Sequence, residues 1–224
     1  MINLLISTVY LLCTFTITCL CYKKYGRIGL FVWMSVSNII CNIQAIKMID
    51  VLGFTTSLGN ISYGAIFLTT DILSEIYGEK EARKAIVLSF LTLIVFTGSM
   101  SLFLGYIPSS VDTTNDALKV VFNFLPRITI ASLVNCIVSQ FIDARMYKIL
   151  KEKYGKLWIS NNGSTIISQL SDTIIFVLIA FAGVIPAVNM VEMAITTIVF
   201  KIIIALLDTP FLYYVSNIKE NGEL

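Results

Sequence analysis

Seven apolar stretches, each long enough to cross a lipid bilayer as a helix, take up most of this 224-residue chain. A span needs about 20 mostly apolar residues, and lipid admits only structures whose backbone polar groups are paired internally. The stretches are 2–22, 28–50, 59–77, 84–107, 126–149, 161–186 and 191–216. They predict an all-α polytopic membrane protein, with residues 1–224 forming a single transmembrane domain. Only the connection 108–125 is long, and Ala117 to Phe124 within it predicts a short interfacial helix. Charged residues are only 13% of the chain, about half the share of a soluble domain. The net charge of +2 is too small to argue for a nucleic-acid partner.

Basic residues orient such a chain, because cytoplasmic loops collect Lys and Arg. Lys23, Lys24 and Arg27 follow the first span, and Lys80, Arg83 and Lys84 follow the third. Arg145, Lys148, Lys151, Lys153 and Lys156 follow the fifth, and Lys219 lies in the tail. These are twelve of the sixteen basic residues, all on alternate connections; Lys119 and Arg127 fall on the opposite ones. The bias predicts an outside N-terminus, a cytoplasmic C-terminus and an odd number of spans. The first stretch carries no charged side chain and is expected at the periphery, facing lipid.

The chain contains no histidine, which removes the commonest metal ligand and general base. A Ser-His hydrolase is excluded, and an aspartyl pair such as Asp71 with Asp172 is the constellation left for catalysis. The five cysteines all lie in apolar runs without CxxC spacing and read as small apolar residues. No metal or other cofactor is expected, and the chain is not read as an enzyme.

Function is therefore sought among polar groups inside the apolar runs, where they are costly and face a bundle interior. Asn38 and Asn42 sit one turn apart on the second span. Lys47 lies nearly opposite them near the outer end, where snorkelling to the interface is the simpler reading. Asp71 and Glu75 share a face of the third span, with Tyr63 and Phe67 upstream. On the fifth span Ser132, Asn135, Ser139 and Asp143 form one stripe at ~100° per residue, with Gln140 beside it. Ser164, Ser168 and Asp172 do the same on the sixth, with Gln169 adjacent. The echo of Ser139-Gln140 and Asp143 in Ser168-Gln169 and Asp172 hints at an inverted repeat. Lys201 lies mid-span in the seventh and needs a carboxylate, for which Asp172 and Asp71 are the candidates; Asp208 follows two turns on. Pro210 should loosen or kink that helix. Mixed amides and carboxylates beside aromatic rings suit a flat organic solute better than an ion channel, which more often shows a ring of one residue type.

Four blocks carry a resemblance to a known family. They are Phe67-Leu68-Thr69-Thr70-Asp71-Ile72-Leu73-Ser74-Glu75-Ile76-Tyr77-Gly78 followed by Ala82-Arg83, then Pro126 and Arg127 running to Gln140 and Asp143, then Ser164 running to Asp172 and Phe176, and finally Phe200-Lys201 with Pro210. In this order, over about residues 28–216, they resemble the queuosine-precursor transporters, also described as putative vitamin uptake transporters. The resemblance implies bacterial inner-membrane uptake of 7-deazaguanine bases or queuine for tRNA modification. It also implies six core spans, so that residues 2–22 would be an added helix. The expected partners are a nucleobase-like small molecule and the lipid bilayer, with a coupling ion and a homo-oligomer compatible with such a carrier. The chemistry fits: carboxylates accept from ring N–H and amine donors, amides donate to the ring carbonyl, and aromatic rings stack on the base. The candidate substrate-binding residues are Asn38, Asn42, Tyr63, Phe67, Asp71, Glu75, Asn135, Gln140, Asp143, Gln169, Asp172 and Lys201. The alternative is the substrate-binding subunit of an ATP-driven energy-coupling-factor importer for a vitamin-like molecule. The chain has no GxxxxGK[ST] phosphate loop, so a partner would have to supply the ATPase.

Overall fold

The first helix does not run straight. α1 (Ile2–Gln44) contains Gly26 at φ 55° and ψ −136°, a conformation open essentially to glycine alone. Trp33 Nε1 donates to Thr18 Oγ1 at 2.8 Å. Fifteen residues of continuous helix would hold these two about 22 Å apart, so the chain reverses at Gly26 and the two limbs lie antiparallel. Asn3 Nδ2 donates to the carbonyl of Asp50 at 2.8 Å, which brings the first residues back beside the end of the second limb. The computed structural model describes residues 1–155 and 157–218, excepting the side chains at 143, 144, 157–162 and 165. Lys156, Lys219 and the side chain of Asp143 thus lie outside the described residues.

The second limb ends at Gln44 instead of running to residue 50. The chain then forms an antiparallel hairpin of β1 (Met48–Val51) and β2 (Phe54–Ser57). Leu52 and Gly53 take φ of +54° and +85°, the positive values that a tight two-residue hairpin turn demands. The expected second span is thereby shortened. Ile49, Val51, Thr55 and Thr56 are β-branched around a Leu-Gly turn, a pattern that hydropathy averaged over a span does not register. Lys47 consequently lies past the helix end rather than within a span.

Next come α2 (Gly59–Tyr77), α3 (Glu79–Phe103), α4 (Asn115–Phe122), α5 (Leu125–Tyr154), α6 (Leu157–Phe181) and α7 (Ala187–Ser216). α4 is the short helix expected in the long connection, begun slightly earlier. α7 carries Pro210 inside it without a break. Arg27 pairs with Glu81 at 3.3 Å, and Tyr22 Oη donates to the carbonyl of Ile218 at 3.4 Å. The Gly26 reversal, the α2–α3 turn and the end of α7 therefore share one end of the bundle. Met1, the β-hairpin and the start of α7 share the other, where the backbone N–H of Thr55 donates to Glu192 at 2.9 Å. Arg127 sits at this second end. It donates to the carbonyls of Ile179 and Ala182 at 2.8 and 2.5 Å, satisfying acceptors left open as α6 finishes.

The molecule is apolar outside and polar inside. Ile6, Val9, Leu91, Val95, Ile137, Ile174, Ile195 and Leu206 are among many large apolar residues exposed along the helices. Asn38, Asn42, Asn135, Asp172 and Asp208 are buried. A water-soluble fold distributes its residues the other way. Ile2–Gln44, Glu79–Phe103, Asn115–Tyr154 and Ala187–Ser216 are long and apolar enough to cross a membrane, and Ile166–Phe181 is a shorter apolar helix. The buried apolar side chains form two clusters. One gathers Leu11, Phe15, Leu30, Met34, Leu68, Ile72 and Ile204; the other gathers Ile128, Ala131, Val177, Ala180, Phe181 and Met193. The first limb of α1 is not merely lipid-facing: its Phe15 is wholly buried and meets Phe211 of α7 at 5.1 Å between ring centroids.

Candidate functional site

A cavity of about 240 Å³ lies among α1, α2, α3, α5, α6 and α7. Its wall includes ten of the twelve residues singled out by sequence: Asn38, Asn42, Tyr63, Phe67, Asp71, Asn135, Gln140, Gln169, Asp172 and Lys201. Glu75 is exposed and outside the wall. It lies one turn nearer the end of α2 than Asp71, which is also exposed but does reach the wall. Asp143 cannot be placed, its side chain being outside the described residues.

Asp172 of α6 is the hub. Lys201 of α7 donates to its Oδ2, and Asn135 Nδ2 of α5 donates to its Oδ1 at 2.6 Å. Lys201 also donates to Gln169 Oε1 at 3.2 Å and lies 5.9 Å from the Tyr63 ring centroid, within cation–π range. The mid-span lysine thus takes Asp172, not Asp71, as its counter-charge. Since a carboxylate oxygen only accepts, the NH₂ of Asn135 must face Asp172, leaving Asn135 Oδ1 as an acceptor. That oxygen is buried and has no hydrogen-bond partner among the described residues. Of the Asp71–Asp172 constellation considered for catalysis, Asp172 is bonded by Lys201 and Asn135, not by Asp71, among the described residues.

The second-limb amides are tied to one another. Ser132 Oγ donates to Asn42 Oδ1 at 2.8 Å, Asn42 Nδ2 to Asn38 Oδ1 at 3.0 Å, and Asn38 Nδ2 to Ser89 Oγ at 3.2 Å. This chain of bonds staples α5, α1 and α3 together across the cavity wall, the usual work of amides between membrane helices. Ser89, Asn60 and Thr197 were missed by sequence reading, since a lone small polar residue in an apolar run gives no signal. Aromatic rings complete the wall: Tyr63 and Phe67 stand edge to face at 4.6 Å, and Phe176 joins them in the lining. Polar acceptors and donors on α5, α6 and α7 and rings on α2 and α6 therefore line one space the size of a small organic molecule.

The family described as "Putative vitamin uptake transporter" matches residues 57–215, from the end of β2 nearly to the end of α7. The chain belongs to it. It is 40% identical over 212 residues to the "Probable queuosine precursor transporter" of Bacillus subtilis (strain 168), covering 93% of each chain. It is 27% identical over 197 residues to the "Queuosine precursor transporter" of Escherichia coli (strain K12), covering 83% of this chain and 85% of that one. No solved structure matches it. Together with the outward apolar faces, membership makes this a multi-pass membrane protein. The matched segment holds every lining residue from α2 onward and omits the second-limb amides Asn38 and Asn42.

Proposed function

We propose that this protein imports queuosine precursors, the 7-deazaguanine bases or queuine, across the bacterial inner membrane as a carrier, for use in tRNA modification. The observation that carries the reading is the central Asn135–Asp172–Lys201 cluster facing Tyr63, Phe67 and Phe176. A flat base offers ring N–H and amine donors beside a carbonyl. Asp172 retains free lone pairs after binding Lys201 and Asn135 and can accept from those donors. Lys201 and Gln169 can reorient toward the carbonyl, and the rings can stack on the base. The relatives' names are those of queuosine precursor transporters, which supports the same substrate class here. The ATP-driven binding-subunit alternative is not favoured by those names.

In this reading the two limbs of α1 and helices α2, α3, α5, α6 and α7 make seven crossings, six of them core. The end that carries Lys23, Lys24, Arg27, Lys80, Arg83 and Lys84 faces the cytoplasm, in keeping with the positive-inside rule. Met1 then lies outside. The deciding experiment is uptake of labelled queuine and of its cyano and aminomethyl precursors by cells lacking their own synthesis and importer. Accumulation that depends on this chain is expected. Cells that express and insert the protein yet take up none of the three would refute the assignment.

A further inference from the structure

Helices α2 and α7 are parallel neighbours with a readable register. Asn60 Nδ2 of α2 donates to Thr197 Oγ1 of α7 at 2.6 Å. One turn further along both helices the Lys201 ammonium lies beside the Tyr63 ring, and a Cβ at Gly64 would stand 3.0 Å from Ile204 Cγ2. Eleven residues is about three full turns at 3.6 residues per turn, so the faces that meet at Asn60 and Thr197 meet again eleven residues on. The residues there are Asp71 and Asp208. Asp71 lines the cavity, whereas Asp208 is outside its wall and is 5% exposed. Among the described residues Asp208 has no hydrogen-bond or ion-pair partner.

None of the surrounding charged groups pairs with Asp208 among the described residues. Lys201 and Asp172 hold each other. From the first limb of α1, Tyr22 donates to the carbonyl of Ile218, while Cys19 and Lys23 lie beside Pro210 and Phe211. Glu75, one turn past Asp71, is exposed as Asp71 itself is, but lies outside the cavity wall, and β2 (Phe54–Ser57) brings no titratable group. A buried, unpaired carboxylate beside a second acidic group is not tolerated as an anion without a neutralising partner. Hard metal cations collect about six oxygen ligands or more; a proton needs one.

We propose that Asp208, together with Asp71, is the binding site for a coupling proton that enters with the solute and is released toward the cytoplasmic end. This rests on the carrier reading above. One carboxylate oxygen takes the proton when the cavity is open outward and gives it up when open inward, with no other bond made or broken. The pair is placed for this role. Asp71 lines the solute cavity and Asp208 is buried at the matching height on the neighbouring helix, so loading of the cavity and protonation of the pair are coupled through Asp71.

The test uses the purified full chain in proteoliposomes with the labelled cyano base, which is uncharged. A gradient of one pH unit, acid outside, should drive accumulation of up to about tenfold for one proton per base, roughly 1.4 kcal/mol. A protonophore should abolish it. Asp208→Asn should still exchange labelled for unlabelled base at equal pH but lose gradient-driven accumulation, and Asp71→Asn should weaken it. Wild-type protein that exchanges the base but ignores the pH gradient overturns the proton site and leaves the carrier reading intact. So does an Asp208→Asn protein that concentrates the base as wild type does. Wild-type protein that neither binds nor exchanges any of the bases overturns the carrier reading and the proton site together. The wild-type arms decide the matter even if a variant fails to assemble.

Discussion

Asp172 and Lys201 sit where an isolated charge costs several kcal/mol, and each neutralises the other. Removing one partner should strand the other. Asp172→Asn is expected to destabilise the protein by on the order of 3 kcal/mol, read as a lowered thermal midpoint. Adding Lys201→Met should recover much of that loss by removing the stranded ammonium. Binding should not follow the same course. If Asp172 accepts from the base, both the single and the double variant bind labelled queuine more than tenfold more weakly. Ser139→Ala, a cavity-lining hydroxyl bonded back to the carbonyl of Cys136 at 3.3 Å, should cost about 1 kcal/mol or less. A stable Asp172→Asn protein with unchanged affinity would take Asp172 out of the site.

At the level of elements, the helical hairpin of α1 separates stability from recognition. No residue before Met34 lines the cavity, yet Leu11 and Phe15 are packed against Gly64 of α2 and Phe211 of α7. Phe15→Ala should therefore lower stability by about 3 kcal/mol or more, from lost burial and the void left behind. Affinity measured on the folded fraction should stay within about twofold; a larger fall would bring the first limb into the site. The reversal itself hangs on Gly26. Gly26→Ala forces an L side chain into a region that costs on the order of 1–3 kcal/mol. Gly98→Ala is the control: it lies inside α3 with open space where the Cβ would go, and should be neutral or stabilising by up to about 1 kcal/mol. Thermal melting of the two variants side by side checks the pair. An undisturbed Gly26→Ala protein would mean the reversal tolerates another backbone conformation.

Across the whole molecule, the ends of the chain are the sharpest handle. Asn3 joins the hairpin end of the bundle and Ile218 the Gly26 end, so the first and the last described residues lie at opposite ends. With the basic residues clustered at the Gly26 end, single cysteines near Met1 should react with an impermeant reagent added outside intact cells. Cysteines near the end of α7 should react only after permeabilisation. Labelling of both ends from the same side would rule out seven crossings. What the sequence alone determined follows from the cost of polar groups in lipid. Long apolar runs dictated helices, and a polar residue inside a run had to face inward, which is why ten of the twelve candidates line one cavity. Helical periodicity says which residues share a face of one helix. It is silent on which helices become neighbours and at what height they meet, because that depends on packing between distant segments. Only the tertiary structure therefore decided that Lys201 pairs with Asp172 rather than Asp71, and that α2 and α7 run parallel in the register that Asn60–Thr197 and Gly64–Ile204 set. It also decided that Glu75 falls beyond the cavity, and that the second span gives way to a hairpin after Gln44. The close approach of Leu11 and Ile204 at Gly64, and the reversal at Gly26, are the contacts that set those heights.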